Sequence, residues 1–417
     1  MKIILENIRE LVQVEEQPVQ FKAGKAMQKV ATIKDAFLII SDEQIYKFGK
    51  MSGLKDTYVD DDLLIEIDCT NRLVYPSYCD SHTHLVFPGP REKEFVMRLK
   101  GKSYEEIAQN GGGILNSAKL MHKKTEDELY NDALLRITEI IKQGTGAVEI
   151  KSGYGLTTED ELKMLRVIKR IKQTVPICVR STFLGAHAIP VEFKNDRSKY
   201  IDMVTNEMLP QVAAEELADF IDVFCDRGFF SVEETDKILL AGMKHGLRPK
   251  IHANELGFTG GVQVGVKYNA LSVDHLEFMG EEEIKALQNT ETMPTVLPGA
   301  AFFLGLELSP VRAMIDAGLP VALASDYNPG SSPSGNMNFI ASLGCIRYKM
   351  TPEEVINATT LNTAYAMGIS DRLGSIARGK TANIFITKEI PGIEYLPYRF
   401  GNELIETVII NGEIQTY

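Results

Sequence analysis

Four of the seven histidines in this 417-residue chain stand in short polar clusters that close otherwise apolar stretches. The clusters are Asp80-Ser81-His82-Thr83-His84, His252 with Glu255 three residues on, and Asp274-His275; Ser325-Asp326 closes a fourth such stretch. His82 and His84 are two apart, so on an extended strand both imidazoles project to the same side. Neutral imidazoles with one carboxylate are a ligand set that suits zinc or ferrous iron with a coordination position left open. An ion held that way lowers the pKa of a water molecule from 15.7 to about 7, which makes hydroxide available at neutral pH. A lone His-x-His is common in strands that bind nothing. The metal reading rests on His82, His84, His252 and Asp326 occurring together, and it predicts one divalent ion per subunit, zinc or iron.

Such a set works only if one scaffold brings distant segments to a common point. The middle of the chain alternates short apolar runs with longer amphipathic ones. Eight runs read as strands: residues 73–79, 147–151, 177–184, 220–225, 249–252, 271–275, 293–297 and 321–325. Amphipathic stretches at 125–142, 159–172, 232–245 and 281–288 read as helices between them. Eightfold strand–helix alternation predicts a (β/α)8 TIM-type barrel, in which catalytic groups sit where strands end at the C-terminal face. The polar clusters fall at the ends of the first, fifth, sixth and eighth predicted strands.

The two ends of the chain look different. Residues 36–40, 45–48 and 63–68, and then 383–386, 406–410 and 413–415, alternate as short strands. Asn411-Gly412 between two of them is a strong hairpin signal. These segments predict a small β-sandwich domain assembled from both termini, residues 1–73 and 376–417, around a barrel spanning 74–375. The net charge of −12 disfavours a nucleic-acid partner. No run of 18 apolar residues suggests a membrane span. Cys69, Cys79, Cys178, Cys225 and Cys345 are odd in number and scattered without a CxxC pair, which points to a reducing, cytoplasmic setting. Gly111–Gly113 is followed by no Gly-Lys-Ser/Thr, so it reads as a flexible loop near the mouth and not a phosphate loop.

The chain resembles the imidazolonepropionases, members of the amidohydrolase superfamily. The resemblance is carried by Asp80-Ser81-His82-Thr83-His84-Leu85-Val86-Phe87, Arg91-Glu92-Lys93-Glu94, Gly111-Gly112-Gly113-Ile114 and Gly185-Ala186-His187-Ala188-Ile189-Pro190. It is carried also by His252-Ala253-Asn254-Glu255 and Asp274-His275, and most specifically by Lys151-Ser152-Gly153-Tyr154-Gly155 and Asp326-Tyr327-Asn328-Pro329-Gly330-Ser331-Ser332. It implies ring-opening hydrolysis of a small anion, 4-imidazolone-5-propanoate, to N-formimidoyl-L-glutamate in histidine breakdown, by a homodimer. The implied roles follow the chemistry. Arg91 clamps the propionate, since a guanidinium can bind a carboxylate bidentately. Tyr154, His187, Asn328, Gly330 and Ser331 contact the substrate. Glu255 takes a proton from the attacking water or holds a ring N–H. His275 steadies the water or polarises the carbonyl. Asp326 doubles as ligand and proton shuttle to the leaving nitrogen. Two-metal relatives bridge their ions with a residue from the fourth strand, but here that strand ends Val223-Phe224-Cys225-Asp226. Lys151 ends the second strand and reads as an ion-paired structural lysine. Ser77, Asn254 and Ala300-Ala301 depart from the family pattern without removing a ligand.

Two other functions compete. A one-metal deaminase of a nucleobase-like ring would share the ligands but would have no need of Arg91. A non-catalytic scaffold would be expected to have lost ligands, and none is lost.

Overall fold

The computed structural model describes residues 2–55, 64–102, 106 and 112–416. Five strands come first, β1 (Lys2–Val12), β2 (Thr32–Ser41), β3 (Gln44–Lys50), β4 (Leu64–Asp68) and β5 (Arg72–Pro76). Eight more follow through the middle of the chain: β6 (Tyr78–Thr83), β7 (Thr145–Lys151), β8 (Cys178–Ala186), β9 (Phe220–Cys225), β10 (Arg248–Ala253), β11 (Ser272–His275), β12 (Met293–Val296) and β13 (Ala322–Leu323). The chain closes with β14 (Ile384–Glu389), β15 (Ile405–Ile410) and β16 (Glu413–Ile414).

β6 to β13 pair in sequence order, and every neighbouring pair is parallel. The ring closes beyond β13. Asp326 N–H donates to the His82 carbonyl at 3.0 Å, and His84 N–H donates to the Tyr327 carbonyl at 2.9 Å. The barrel is therefore sewn shut by the backbone of residues expected to hold the metal. The predicted helices form where expected, as Glu126–Lys142, Thr158–Thr174, Val232–Lys244 and Glu281–Leu287. Two of their starts are fixed by reciprocal caps, Thr125 with Glu128 and Ser231 with Glu234. Each satisfies two backbone N–H groups that the helix cannot.

One predicted strand is corrected. Residues 73–79 do not form the first barrel strand but divide at Ser77. β5 belongs to the small domain, where it pairs with β1 and β14, and the barrel begins with β6. A continuous apolar run cannot reveal such a change of sheet, because both halves are equally buried. The first barrel strand consequently contains His82 rather than ending before it.

The small domain is one eight-stranded mixed sheet built from both termini. β1 runs along its centre, antiparallel to β2 and parallel to β4 and β5. The sheet curls so that Ile3, Leu38, Ile45, Ile384 and Ile409, from both of its arms, share one core. The Asn411-Gly412 turn forms as read, with φ of 51° and 72°, joining Ile410 to Glu413. Leu63, Gly111 and both terminal residues lie outside the described residues; Gly112 and Gly113 are buried. No described helix is long and apolar enough to cross a membrane. All five cysteines are free thiols.

Candidate metal centre and active site

Alternate residues of a barrel strand face inward, and in most barrels they are apolar. Here the inward positions at the C-terminal end carry ionisable groups: Asp80 and His82 on β6, Glu149 and Lys151 on β7, Asp222 on β9, Lys250 and His252 on β10, and Asp274 on β11. All are buried.

His82, His84 and His252 each present a ring nitrogen to a common point, all within 4.8 Å of one another. Nε2 of His252 lies 3.4 Å from Nε2 of His84. Asp326 completes the set, with Oδ1 3.7 Å from Nε2 of both His82 and His84. Burial, joined by nearby positive charge, holds His82 and His84 well below the ordinary histidine range, so both are neutral. Nε2 of His82 is buried with no hydrogen-bond partner. Converging buried imidazoles, an unpartnered Nε2 on His82 and a facing carboxylate fit a divalent cation.

What lies behind the ligands fits as well. Nδ1 of His82 meets Asp274 Oδ2 at 2.6 Å, and Nδ1 of His252 lies 2.9 Å from Asp222 Oδ2. A carboxylate on the far nitrogen fixes the tautomer and leaves Nε2 for a metal. These carboxylates are held in turn by two buried ammoniums. Lys151 Nζ lies 2.6 Å from Glu149 and 2.7 Å from Asp222. Lys250 binds Glu149 and donates to the Ser81 carbonyl at 2.9 Å. Both lysines approach Asp274 Oδ2 to 3.8 Å. Burial works to raise Asp222, but His252 and Lys151 outweigh it and hold the carboxyl well below its usual range. Lys151 is ion-paired, as its sequence context suggested, but it sits directly beneath the metal site.

The remaining expected residues ring the mouth. Arg91 donates through Nε and Nη2 to Ser117 Oγ, at 3.0 and 2.7 Å. Its guanidinium stands 5.4 Å from the centre of the Tyr154 ring, and a Cβ added at Gly330 would come within 2.5 Å of it. Among the described residues no carboxylate forms a salt bridge with it. Tyr154 and His187 are buried, their ring centres 5.4 Å apart. His187 stacks on His84 at 5.0 Å and points Nδ1 at the Gly153 carbonyl, 3.0 Å away. Burial and then His252 push its pKa down to about 3. The Tyr154 loop is anchored from below by the buried Glu161 carboxylate, which accepts N–H bonds from Gly153, Gly155 and Leu156. Gly155 passes so close that a Cβ would meet Glu161 N at 2.4 Å.

The loop after β13 is tied mostly to itself. Asn328 donates to the Asp326 carbonyl and to Ser331 Oγ, and accepts from Gly330 and Ser331 N–H. Ser331 Oγ donates to Asp326 Oδ2 at 3.0 Å. These two side chains therefore shape the loop and orient the Asp326 carboxylate. Asp326 itself sits at φ 54°, and burial raises its pKa to about 7. Glu255 Oε2 is 3.7 Å from His275 Nδ1, and burial followed by the Asp326 charge raises its carboxyl. A bound cation acts against both rises. His122 and His245 lie away from the site: His122 is 2.9 Å from Asp160, and His245 caps the Val232–Lys244 helix.

The amidohydrolase family profile matches residues 73–414. The imidazolonepropionase of Flavobacterium johnsoniae is 53% identical over 414 residues, covering 99% of this chain and all of that protein. The chain is a member of the amidohydrolase family and, within it, of the imidazolonepropionases. The imidazolonepropionase of Shouchella clausii is 43% identical, covering 94% of this chain and 88% of its own length. Solved structures show the same fold at low identity. An atrazine chlorohydrolase from Arthrobacter aurescens, complexed with zinc, has a TM-score of 0.72 at 15% identity, covering 99% of this chain and 94% of its own. An adenosine deaminase from Xanthomonas campestris with bound zinc has a TM-score of 0.70 at 15% identity, covering 99% and 92%.

Membership in the imidazolonepropionases puts the supporting layer in relief. Asp222, Glu149 and Lys250 lie outside the motifs that carry the resemblance, and Asp274 enters them only as the neighbour of His275. Their one sequence signal is a charge in the middle of an apolar strand that a parallel barrel must bury.

Proposed function

We propose that this chain hydrolyses 4-imidazolone-5-propanoate to N-formimidoyl-L-glutamate with one zinc or iron ion held by His82, His84, His252 and Asp326. The observation that carries the reading is the cluster of three buried imidazoles facing one carboxylate, beside a guanidinium that forms no salt bridge with a carboxylate among the described residues. When bound, the ion acts as a Lewis acid and brings the pKa of a water molecule to about 7.

The chain's own groups do the rest. Arg91 takes the propionate and so fixes which way the ring enters. Tyr154 and His187 wall the ring, and the loop of Asn328, Gly330 and Ser331 closes beside it. Glu255 accepts the proton of the water that adds to the ring carbonyl. His275 faces the oxygen on which negative charge develops. Asp326 takes the second proton of that water from the tetrahedral adduct and hands it to the ring nitrogen as its bond to the former carbonyl carbon breaks. The water oxygen ends in a new carboxylate, and the nitrogen leaves protonated. The fit is to a lactam with an acidic tail, because an aminated heterocycle without that tail leaves Arg91 unused.

Free, mostly buried thiols suit a cytoplasmic enzyme, and a homodimer is the assembly to test by light scattering. The deciding experiment is turnover of imidazolone propionate against a panel of aminated purines and pyrimidines, with metal content measured on the same preparation. Ring opening by protein carrying about one zinc or iron per chain is the expected result. Preference for an aminated ring, or protein that no divalent ion can load, would overturn the reading.

A further inference from the structure

Glu277 lies two residues past His275, and no motif in the chain assigns it a task. Its side chain is 1% exposed, and among the described residues no other residue gives either carboxylate oxygen a hydrogen bond, its own backbone N–H being the nearest donor. A fold gains nothing by burying such a group, since desolvation is costly without a donor to offset it. Burial followed by Glu255 raises its pKa well above the usual range. The charged groups facing it, Glu255, Asp326 and Asp226, are all acidic. Tyr348 stands near with its own hydroxyl buried and unpartnered.

The backbone that delivers Glu277 is strained. His275 and Leu276 adopt φ of 85° and 70°, which two successive residues with bulky side chains seldom do. The turn is held by Leu276 N–H on the Ala253 carbonyl, Phe278 N–H on the Asn254 carbonyl, and Ser309 Oγ on the His275 carbonyl. Its effect is to place Glu277 Oε2 3.9 Å from Nδ1 of His275. Glu255 Oε2 approaches the same nitrogen to 3.7 Å. Nδ1 is itself buried and has no hydrogen-bond partner among the described residues. One imidazole N–H site thus stands between two carboxylates, just beyond hydrogen-bond reach of each. Catalytic contacts are often long before substrate arrives and tighten in the complex.

We propose that Glu277 is a positioning residue for the ring-opening reaction: with substrate in the mouth, it accepts the Nδ1–H bond of His275. That bond fixes which nitrogen of His275 carries the proton and leaves Glu255 for the water. The proposal rests on the hydrolytic reading above. It explains why the fold tolerates both a buried carboxylate that no other described residue satisfies and a strained turn.

The test is Glu277→Gln and Glu277→Leu in the metal-loaded protein, with Tm, metal content and the pH profiles of kcat and kcat/KM measured against native. Removing a buried carboxyl that no other described residue satisfies leaves Tm unchanged or raised, and metal stays at about one ion per chain. Turnover falls about tenfold or more in kcat with KM within threefold, as expected when a histidine loses its tautomer partner. In Glu277→Gln the acidic limb of kcat/KM moves to lower pH, because Glu255 has one acidic neighbour fewer, with Asp326 and Asp226 remaining. A lowered Tm with native kcat and an unmoved pH profile would make Glu277 a structural residue and overturn the proposal. Native protein that fails to open the ring at all would sink the hydrolytic reading and this inference together, whereas active native protein with an equally active Glu277→Gln sinks only the inference.

Discussion

Lys151→Met is the substitution that asks most of the layer beneath the metal site. The side chain is fully buried, and its ammonium touches Glu149 at 2.6 Å and Asp222 at 2.7 Å. Removing one member of a buried ion pair costs about 3–5 kcal/mol, because the partner is left charged and desolvated. Lys250 still faces Glu149, so Asp222 bears most of the loss. At roughly 2.1 cal/mol/K per residue, unfolding 417 residues carries an entropy near 0.9 kcal/mol/K, so Tm falls by about 3–6 °C. A second effect follows. With Lys151 gone, only His252 opposes the rise that burial imposes on the Asp222 carboxyl. A protonated Asp222 no longer presents a carboxylate to His252 Nδ1, 2.9 Å away, and metal affinity drops about 10–100-fold, as when other partners of ligand histidines are lost. Calorimetry of metal-free protein reads the first effect, and competition with a chromophoric chelator reads the second. The double variant Lys151→Met/Asp222→Asn should regain part of the lost stability, since charge and counter-charge leave together, but it should not regain metal affinity. A Lys151→Met protein that melts within about 1 °C of native and binds metal within threefold would refute the idea that this ammonium sustains the ligand-orienting carboxylates.

Arg91→Lys keeps the charge but loses the planar fork, so KM for the propionate substrate should rise about tenfold or more while kcat changes less; steady-state kinetics decide, and an unchanged KM would remove Arg91 from the carboxylate site. Burial pushes the Cys345 thiol up to about 11, so it is protonated at neutral pH and only the thiolate reacts. Its alkylation by iodoacetamide should be negligible at pH 8 and climb about tenfold per pH unit until near pH 11, read by mass spectrometry of the labelled peptide.

Much of the site was legible because ligand chemistry restricts residue type. His82, His84, His252 and Asp326 stood out as polar residues closing apolar runs, and the structure brings all four to one point. Arg91, Tyr154 and His187 were legible only through longer strings of residues, since an arginine or a tyrosine after a strand has many ordinary uses. Glu149, Asp222 and Lys250 were nearly invisible, and Asp274 stood out only as the neighbour of His275. Each is a single charge within a strand, and nothing local tells a paired charge from a strand that has been misread. Glu277 follows a strand end like many surface glutamates, and only its burial and the turn before it mark it out. The break at Ser77 was hidden for the opposite reason, because two strands of different sheets are equally apolar there.

The linear chain by itself determined the alternation of elements, the closing hairpin and the set of candidate metal ligands. These depend on periodicity, on hydrogen bonds to near neighbours and on the donor atoms of single residues, all of which are local. The folded molecule alone decided which carboxylate stands behind which imidazole and that two ammoniums share three acids beneath them. It also decided that a strained turn aims Glu277 at His275. Those facts follow from closing eight strands into a ring, which sets residues far apart in the chain within hydrogen-bond distance in a medium where every charge must find a partner or shift its proton.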